Sequence, residues 1–172
     1  MITFKDIKYK KSQINEEKNK YREVIKDSIN EFLKIYVESL QLPAETFKFK
    51  DGRDHPYVFV VNKAGQPTLS LTLDELQVDK INGASFVLNT VVDDEPPFPS
   101  PVQTSIQVYF IDGHLEYLIR SDNINDSVYF PVNNENDISI LCEVVKESII
   151  NKIESEQIGK KSAKDESVTL WD

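Results

Sequence analysis

The segment of the chain with the most chemical potential is Asp51-Gly52-Arg53-Asp54-His55, which brings two carboxylates, a guanidinium and an imidazole together. A carboxylate beside a histidine is the pairing that general acid–base catalysis uses. A hydrolase- or nuclease-type enzyme built on Asp51 and His55 is therefore one hypothesis. Asp-Gly and Asp near proline are also turn sequences, and Pro56 follows directly. We interpret the segment as a solvated turn and assign no catalytic residue.

The chain offers few of the motifs that bind metals or phosphates. It contains one cysteine, Cys142, and two histidines, His55 and His114. Zinc sites need three or four such ligands. The acidic run Asp93-Asp94-Glu95 is typical of a solvated loop, and no glycine-rich phosphate loop is present. We expect no metal and no cofactor.

The composition predicts the compartment of the protein and excludes some classes of partner. The 172 residues carry a net charge of −9, and an acidic chain repels phosphates, so no nucleic acid partner is expected. No run approaches the ~18 apolar residues of a membrane span, and the first residues lack the apolar stretch of a signal peptide. The single Cys142 fits a reducing compartment. We expect a cytoplasmic protein without membrane contact.

Two segments have the spacing of amphipathic helices. The first stripe recurs every three or four residues and predicts a helix over residues 15–41, stopped by Pro43. Its members are Tyr21, Ile25, Ile29, Phe32, Tyr36 and Leu40. The second stripe predicts a helix capped by Asn134 that fades after Glu156. Its members are Ile138, Leu141, Val145, Ile149 and Ile153.

The middle of the chain has the pattern of strands. Apolar runs or alternations occupy residues 47–49, 57–61, 69–73, 86–92, 106–110, 115–119 and 128–132. Asp112-Gly113 predicts a type I′ hairpin, and Pro131 marks the last strand as an edge. Residues 74–82 have the composition of a short helical turn, and residues 93–101, with four prolines, that of a loop.

These elements predict one architecture. It is an α+β fold in which an antiparallel meander of about six or seven strands carries an N-terminal and a C-terminal amphipathic helix on one face. Residues 1–157 would form this single domain. Residues 158–172 are predicted to be a charged C-terminal tail that ends in a Leu-Trp anchor.

Apolar side chains in the predicted loop and tail indicate surfaces for a partner. Leu170 and Trp171 end the tail, and Pro97 and Phe98 lie in the proline-rich loop. Large aromatic residues are favoured at interaction hot spots. Since catalytic residue types are scarce, we predict a non-catalytic protein-binding protein: an accessory subunit, immunity-type inhibitor or adaptor of a larger bacterial-type assembly. It would bind a protein partner or form a homo-oligomer.

The outline of the chain also resembles that of the small acidic secretion chaperones. The features that carry this resemblance are the pI near 4.8, the opening helix from Tyr21 to Leu40, the Leu42-Pro43 step and the closing helix from Ile138 to Ile153. The resemblance implies a chaperone-like protein that dimerises, which is the alternative function.

Overall fold

The structure of the protein, a computed structural model, describes residues 2–48, 52–62, 64–78, 83–93, 100–120 and 127–165, the last ten by their backbone alone. In chain order these ranges contain α1 (Phe4–Ser39), β1 (Thr46–Lys48), β2 (Asp54–Pro56), β3 (Val58–Val61), β4 (Pro67–Thr68), β5 (Gln77–Val78), β6 (Gly83–Asp93), β7 (Ser100–Ile111), β8 (His114–Arg120), β9 (Val128–Val132) and α2 (Glu135–Asp165). The predicted α+β class is confirmed.

Seven of the described strands form one antiparallel sheet. Its order is β4-β3-β6-β7-β8-β9, and β5 also pairs with β6, beside β3. The strands β6 to β9 are a meander, as predicted, and β1 and β2 form a separate two-stranded sheet. Strand β9 is an edge of the large sheet. Pro131 is tolerated there because one side of an edge strand needs no backbone donor.

The hairpin between β7 and β8 forms at the predicted turn. Asp112 and Gly113 have φ values of 49° and 88°. A type I′ turn requires positive φ at both central residues, which suits an Asp-Gly pair. Ile111 pairs with His114 across the turn, so the predicted hairpin register is confirmed.

Both helices pack on one face of the large sheet. Phe32 of α1 is fully buried, and its ring centroid lies 6.3 Å from that of Phe86 on β6 and 5.8 Å from that of Tyr117 on β8. Leu141 and Val145 of α2 belong to the same core. The sheet therefore covers the buried stripes of both helices with a single layer of apolar side chains, as the two-layer prediction requires.

Two buried hydrogen bonds also join α1 to the sheet. The hydroxyls of Ser28 and Tyr117 are 2.7 Å apart, and the Tyr36 hydroxyl lies 3.1 Å from Thr90 Oγ1. All four side chains are buried, so each bond satisfies polar groups that water does not reach. Because the bonds lie on either side of Phe32, they define both the rotation and the position of α1 on the sheet.

The two helices run in the same direction across the sheet. The ring of Tyr21 stacks 5.0 Å from Phe110, near the β7–β8 hairpin, whereas Tyr36 contacts Thr90 near the opposite end of the sheet. Helix α2 begins just after β9, beside the hairpin, and Lys152 donates a 3.4 Å bond to the backbone near the start of β7. The N-terminal part of α1 therefore projects beyond the hairpin end.

Both helices are longer than the sequence pattern predicts. α1 begins at Phe4 and not at residue 15, because Thr3 and Asp6 form a capping box that satisfies its first backbone donors. Hydrogen bonds from the Thr3 hydroxyl and backbone lower the pKa of the Asp6 carboxyl. α2 continues to Asp165, past the end predicted at Glu156. In each case a helix extends beyond the apolar periodicity that predicted it.

Three other predictions from the strand pattern are wrong in detail. Residues 69–73 do not form a strand: Leu71 is buried, but the side chain of Asn30 bonds its backbone N–H at 2.8 Å and its carbonyl at 3.0 Å. The helical turn predicted for residues 74–82 is earlier and shorter, because Thr72 O accepts bonds from the backbone N–H groups of Glu75 and Leu76 and strand β5 follows. The predicted loop 93–101 is shorter, because Asp93 pairs with Ser100. Residues 94–99 lie outside the described part.

The core predicts a clear difference between neighbouring residues of α2. We expect Leu141→Ala to lower the free energy of unfolding by about 2–5 kcal/mol, because Leu141 is fully buried and alanine would leave a cavity. The matched control is Ile140→Ala, since the Ile140 side chain is 46% exposed. Urea denaturation measures both. Equal losses for the two variants would contradict the placement of α2.

The buried tyrosines predict a loss of stability in base. Burial raises the pKa of Tyr36 to about 12, against about 10 in an unfolded chain. Between these values the unfolded chain releases a proton that the folded protein keeps. The contribution of Tyr36 to the free energy of unfolding is therefore full below about pH 10 and falls by about 1.4 kcal/mol per pH unit up to about pH 12. Urea denaturation at several pH values above about 10 should show that Tyr36→Phe reduces the slope of the free energy of unfolding against pH. An unchanged slope would contradict this account.

Candidate functional site

His55 lies in β2, so the turn predicted over this segment is wrong at its end. Its backbone pairs with that of Phe47, and the two ring centroids are 5.9 Å apart. Phe47 is buried and also packs against Tyr57, with centroids 5.0 Å apart. The half-buried imidazole thus belongs to a small aromatic cluster, because β1 offers the segment a pairing partner. Asp51 lies outside the described residues.

The predicted partner-binding residues also lie outside the described residues. These are Pro97, Phe98, Leu170 and Trp171. Their role remains a prediction. The surfaces that the structure does describe are the uncovered face of the sheet and the projecting part of α1.

Cys142 is a core residue of α2, as its spacing predicts. It is fully buried, and burial raises the pKa of its thiol to about 11. A thiol with a raised pKa is a poor nucleophile near neutral pH. Among the described residues, no group of three or more His, Cys, Asp and Glu side chains has the geometry to hold a metal ion.

A groove lies on the sheet face opposite the helices. We call it the sheet groove; its volume is about 480 Å³. Its polar lining comes from alternate residues of three adjacent strands: Ser85, Asn89, Gln103, Ser105, Gln107 and Arg120. A volume of this size is within the range of ligand sites.

Hydrogen bonds order the polar side chains of the sheet groove. Gln103 Nε2 donates to Asn89 Oδ1 at 3.2 Å, and Asn89 is buried. Arg120 Nη2 and the Tyr109 hydroxyl both donate to Gln107 Oε1, at 2.8 and 2.7 Å. The guanidinium and amides are therefore held in place and can offer further hydrogen bonds to a polar ligand.

The carboxylate that borders the sheet groove is already engaged. Glu75 Oε2 accepts 2.9 Å bonds from the backbone and hydroxyl of Thr72, and Glu75 Oε1 accepts a 2.9 Å bond from Asn62. Proton transfer needs a carboxylate or imidazole that can reach the ligand. The observed contacts of Glu75 make the groove better suited to binding than to acid–base chemistry.

The second surface is the N-terminal arm, which we define as residues 4–20 of α1. Every side chain in this arm is exposed except that of Gln13, which is half-buried. The arm presents large apolar side chains on the side that continues the buried stripe of α1: Phe4, Ile7 and Ile14 are 81%, 60% and 41% exposed. Six lysines and three acidic residues among residues 1–20 make this part basic in an acidic chain.

Sequence reasoning missed both surfaces for different reasons. The groove residues alternate with core residues along their strands, and alternating polar side chains are typical of any wet sheet face. The arm did leave a signal: Ile7 and Ile14 precede Tyr21 at seven-residue intervals. The surrounding lysines favoured the interpretation of a solvated segment.

Comparison of the chain with protein-family models, curated protein sequences and solved structures finds no match. Among the described residues, no helix has both the length and the apolar character needed to cross a membrane.

The burial of Cys142 predicts an inert thiol. We expect the folded protein not to react with a disulfide reagent such as dithionitrobenzoate near pH 8, because the thiol is buried and its pKa is raised. In urea the same thiol should react at once. The absorbance of the released reagent measures both. Rapid reaction of the folded protein would contradict the buried position and reopen a nucleophilic role.

Proposed function

We propose that this chain is a non-catalytic protein-binding protein, an accessory subunit or adaptor, and that it contacts its partner through the N-terminal arm. The observation that carries the proposal is the exposed apolar side of the arm. Phe4, Ile7 and Ile14 form a stripe that continues the buried stripe of the same helix, but beyond the end of the sheet. A partner would bury this stripe as the sheet buries the rest.

The energy available from the arm is sufficient for recognition. Complete burial of one large apolar side chain stabilises a complex by roughly 1.5–3 kcal/mol. Phe4, Ile7 and Ile14 lie one to two turns apart on one side of the helix, so one surface can cover them together. This geometry is that of a helix that binds a groove or another helix.

The opposite side of the arm supports the assignment of a single contact face. Gln13 donates to the Tyr9 hydroxyl at 3.1 Å, and the Ser12 hydroxyl donates to Glu16 at 3.4 Å. These bonds lie within the helix and suit a face that water covers. The arm therefore has one apolar side and one polar side, which is the pattern of a helix that packs on one surface.

The enzyme hypothesis has less support from the described residues. His55 packs against Phe47 in a strand, Cys142 is buried in the core, and Glu75 is engaged by its neighbours. The sheet groove adds hydrogen-bonding groups that suit a second contact with the same partner. A binding role requires no rearrangement of the sheet groove or of the N-terminal arm.

A crosslinking experiment tests the proposal. A photo-reactive residue in place of Ile14 should form adducts with a protein in the cells that produce this chain, because position 14 lies on the apolar side of the arm. The matched control places the same residue at Tyr9, which is 66% exposed on the other side. Mass spectrometry identifies the adducts. If position 14 gives no more protein adduct than position 9, the proposal is wrong.

A further inference from the structure

We infer that the arm binds the arm of a second copy of this chain, as an antiparallel helix pair. The inference rests on the proposed function, because it names the partner of the same surface. The observation that carries it is the placement of charges around the apolar stripe, which complements itself in the antiparallel arrangement and conflicts with itself in the parallel one.

The arm has the seven-residue repeat of a helix pair. Phe4, Lys11 and Lys18 occupy one core position of the repeat, called a. Ile7, Ile14 and Tyr21 occupy the other, called d. The aliphatic stems of lysines can cover apolar neighbours while their ammonium groups reach water. The stripe is thus suited to packing only if each lysine faces an apolar residue.

The antiparallel orientation meets that condition. In a parallel pair each a residue faces its own copy, so Lys11 would face Lys11 and Lys18 would face Lys18. In an antiparallel pair each a residue faces a d residue. One register then gives the facing pairs Ile7 with Lys18 and Lys11 with Ile14, and brings Phe4 to the end of the arm beside Tyr21, whose ring also stacks on Phe110. Each lysine contacts an isoleucine, and like charges do not meet in the core.

The residues that flank the core select the same register. Lys10 and Glu17 occupy the position before a, called g. In the register above, Lys10 of one copy lies beside Glu17 of the other, and symmetry repeats the pair. A parallel pair would place Glu17 beside Arg22 instead, so the flanking charges define the register of the antiparallel pair, whereas the core lysines decide its orientation. The sequence of the arm therefore holds two reciprocal ion pairs for the antiparallel dimer.

Charge on the rest of the chain also favours the antiparallel dimer. The whole chain has a net charge of −9 although residues 1–20 are basic, so all of the negative excess lies outside the arm. An arm of seventeen residues is about 25 Å long, which exceeds the screening length of about 8 Å at physiological ionic strength. Antiparallel arms keep the two acidic bodies at opposite ends, whereas parallel arms would place them side by side.

Residues 166–172 are too few to reach the arm. α1 and α2 run in the same direction, so the end of α2 and the arm project from opposite ends of the sheet. Even fully extended, residues 166–172 span at most about 25 Å. The sheet alone is longer, about 40 Å, since β7 has twelve residues.

The expected dimer is weak. Two helices of this length touch over roughly 250 Å² on each side, which is below the area of a permanent interface. Analytical ultracentrifugation of the full chain up to about 1 mM should therefore show a monomer–dimer equilibrium. Ile14→Glu should raise the dissociation constant at least about tenfold, whereas Tyr9→Glu, with the same charge change on the polar side, should leave it unchanged. A monomer at every concentration would overturn the inference.

A charge exchange tests the register. Lys10→Glu alone and Glu17→Lys alone each place like charges together and should each raise the dissociation constant about tenfold. The double variant K10E/E17K restores opposite charges and should return it to the value of the unchanged protein. As a control, Lys5→Glu changes the same charge on another side of the arm and should have a smaller effect. Failure of the double variant to recover would overturn the register.

Cysteine crosslinking tests the orientation. Chains that carry Lys10→Cys mixed with chains that carry Glu17→Cys should form a disulfide between the two variants, because positions 10 and 17 face each other in the antiparallel pair. Lys18→Cys alone should not form a disulfide with itself, because position 18 meets its own copy only in a parallel pair; if it does so as readily as the mixture, the inference is wrong. The buried Cys142 does not interfere.

The outcomes separate this inference from the proposed function. If the photo-reactive residue at position 14 joins only a different protein and the purified chain remains a monomer, the protein-binding function stands and the second copy is wrong as partner. If it joins no protein and the chain remains a monomer, both are wrong.

Discussion

Phe32 of α1 packs against Phe86 and Tyr117 of the sheet, with the Ser28–Tyr117 and Tyr36–Thr90 hydrogen bonds on either side. The aromatic contacts bury apolar surface between α1 and the sheet, and the two hydroxyl pairs define the orientation of α1. A hydrophobic stripe alone allows a helix to rotate or slide by a fraction of a turn. Buried hydroxyls remove that freedom, because each loses its observed hydrogen-bond partner if the helix moves.

The position of α1 determines where the arm projects. Tyr21 is the last stripe residue to meet the sheet, through Phe110, and the sheet ends at the β7–β8 hairpin. Any residue before Tyr21 must therefore extend past the hairpin. The capping box at Thr3 and Asp6 keeps this extension helical, so the apolar stripe continues into solvent with its periodicity intact.

The sheet has two faces with different roles. The helix-covered face contributes the core, whereas the opposite face carries hydrogen-bonded amides, Tyr109 and Arg120 around the sheet groove. The two uncovered surfaces differ: the groove presents hydrogen-bonding groups, and the arm presents an apolar stripe. The proposed contact of one arm with another would leave the groove open for a further partner.

The sequence by itself determined the elements whose signals are local. The periodic stripes with Phe32 and Leu141, the Asp112-Gly113 turn and Pro131 at an edge all depend on neighbours along the chain, and the helices, the hairpin and the order of the meander were predicted from them. The two-layer packing followed because two amphipathic helices need a common apolar surface.

Only the tertiary structure showed where long-range contacts override the secondary structure that the local sequence favours. Leu71 has the alternation of a strand, yet Asn30, distant in sequence, takes both of its backbone bonds. His55 has the composition of a turn, yet Phe47 pairs with it. Asn89, Gln103 and Arg120 become one groove because pairing between strands brings them together. These contacts join residues that are far apart along the chain, and the local sequence around a residue does not indicate which distant residue it will contact.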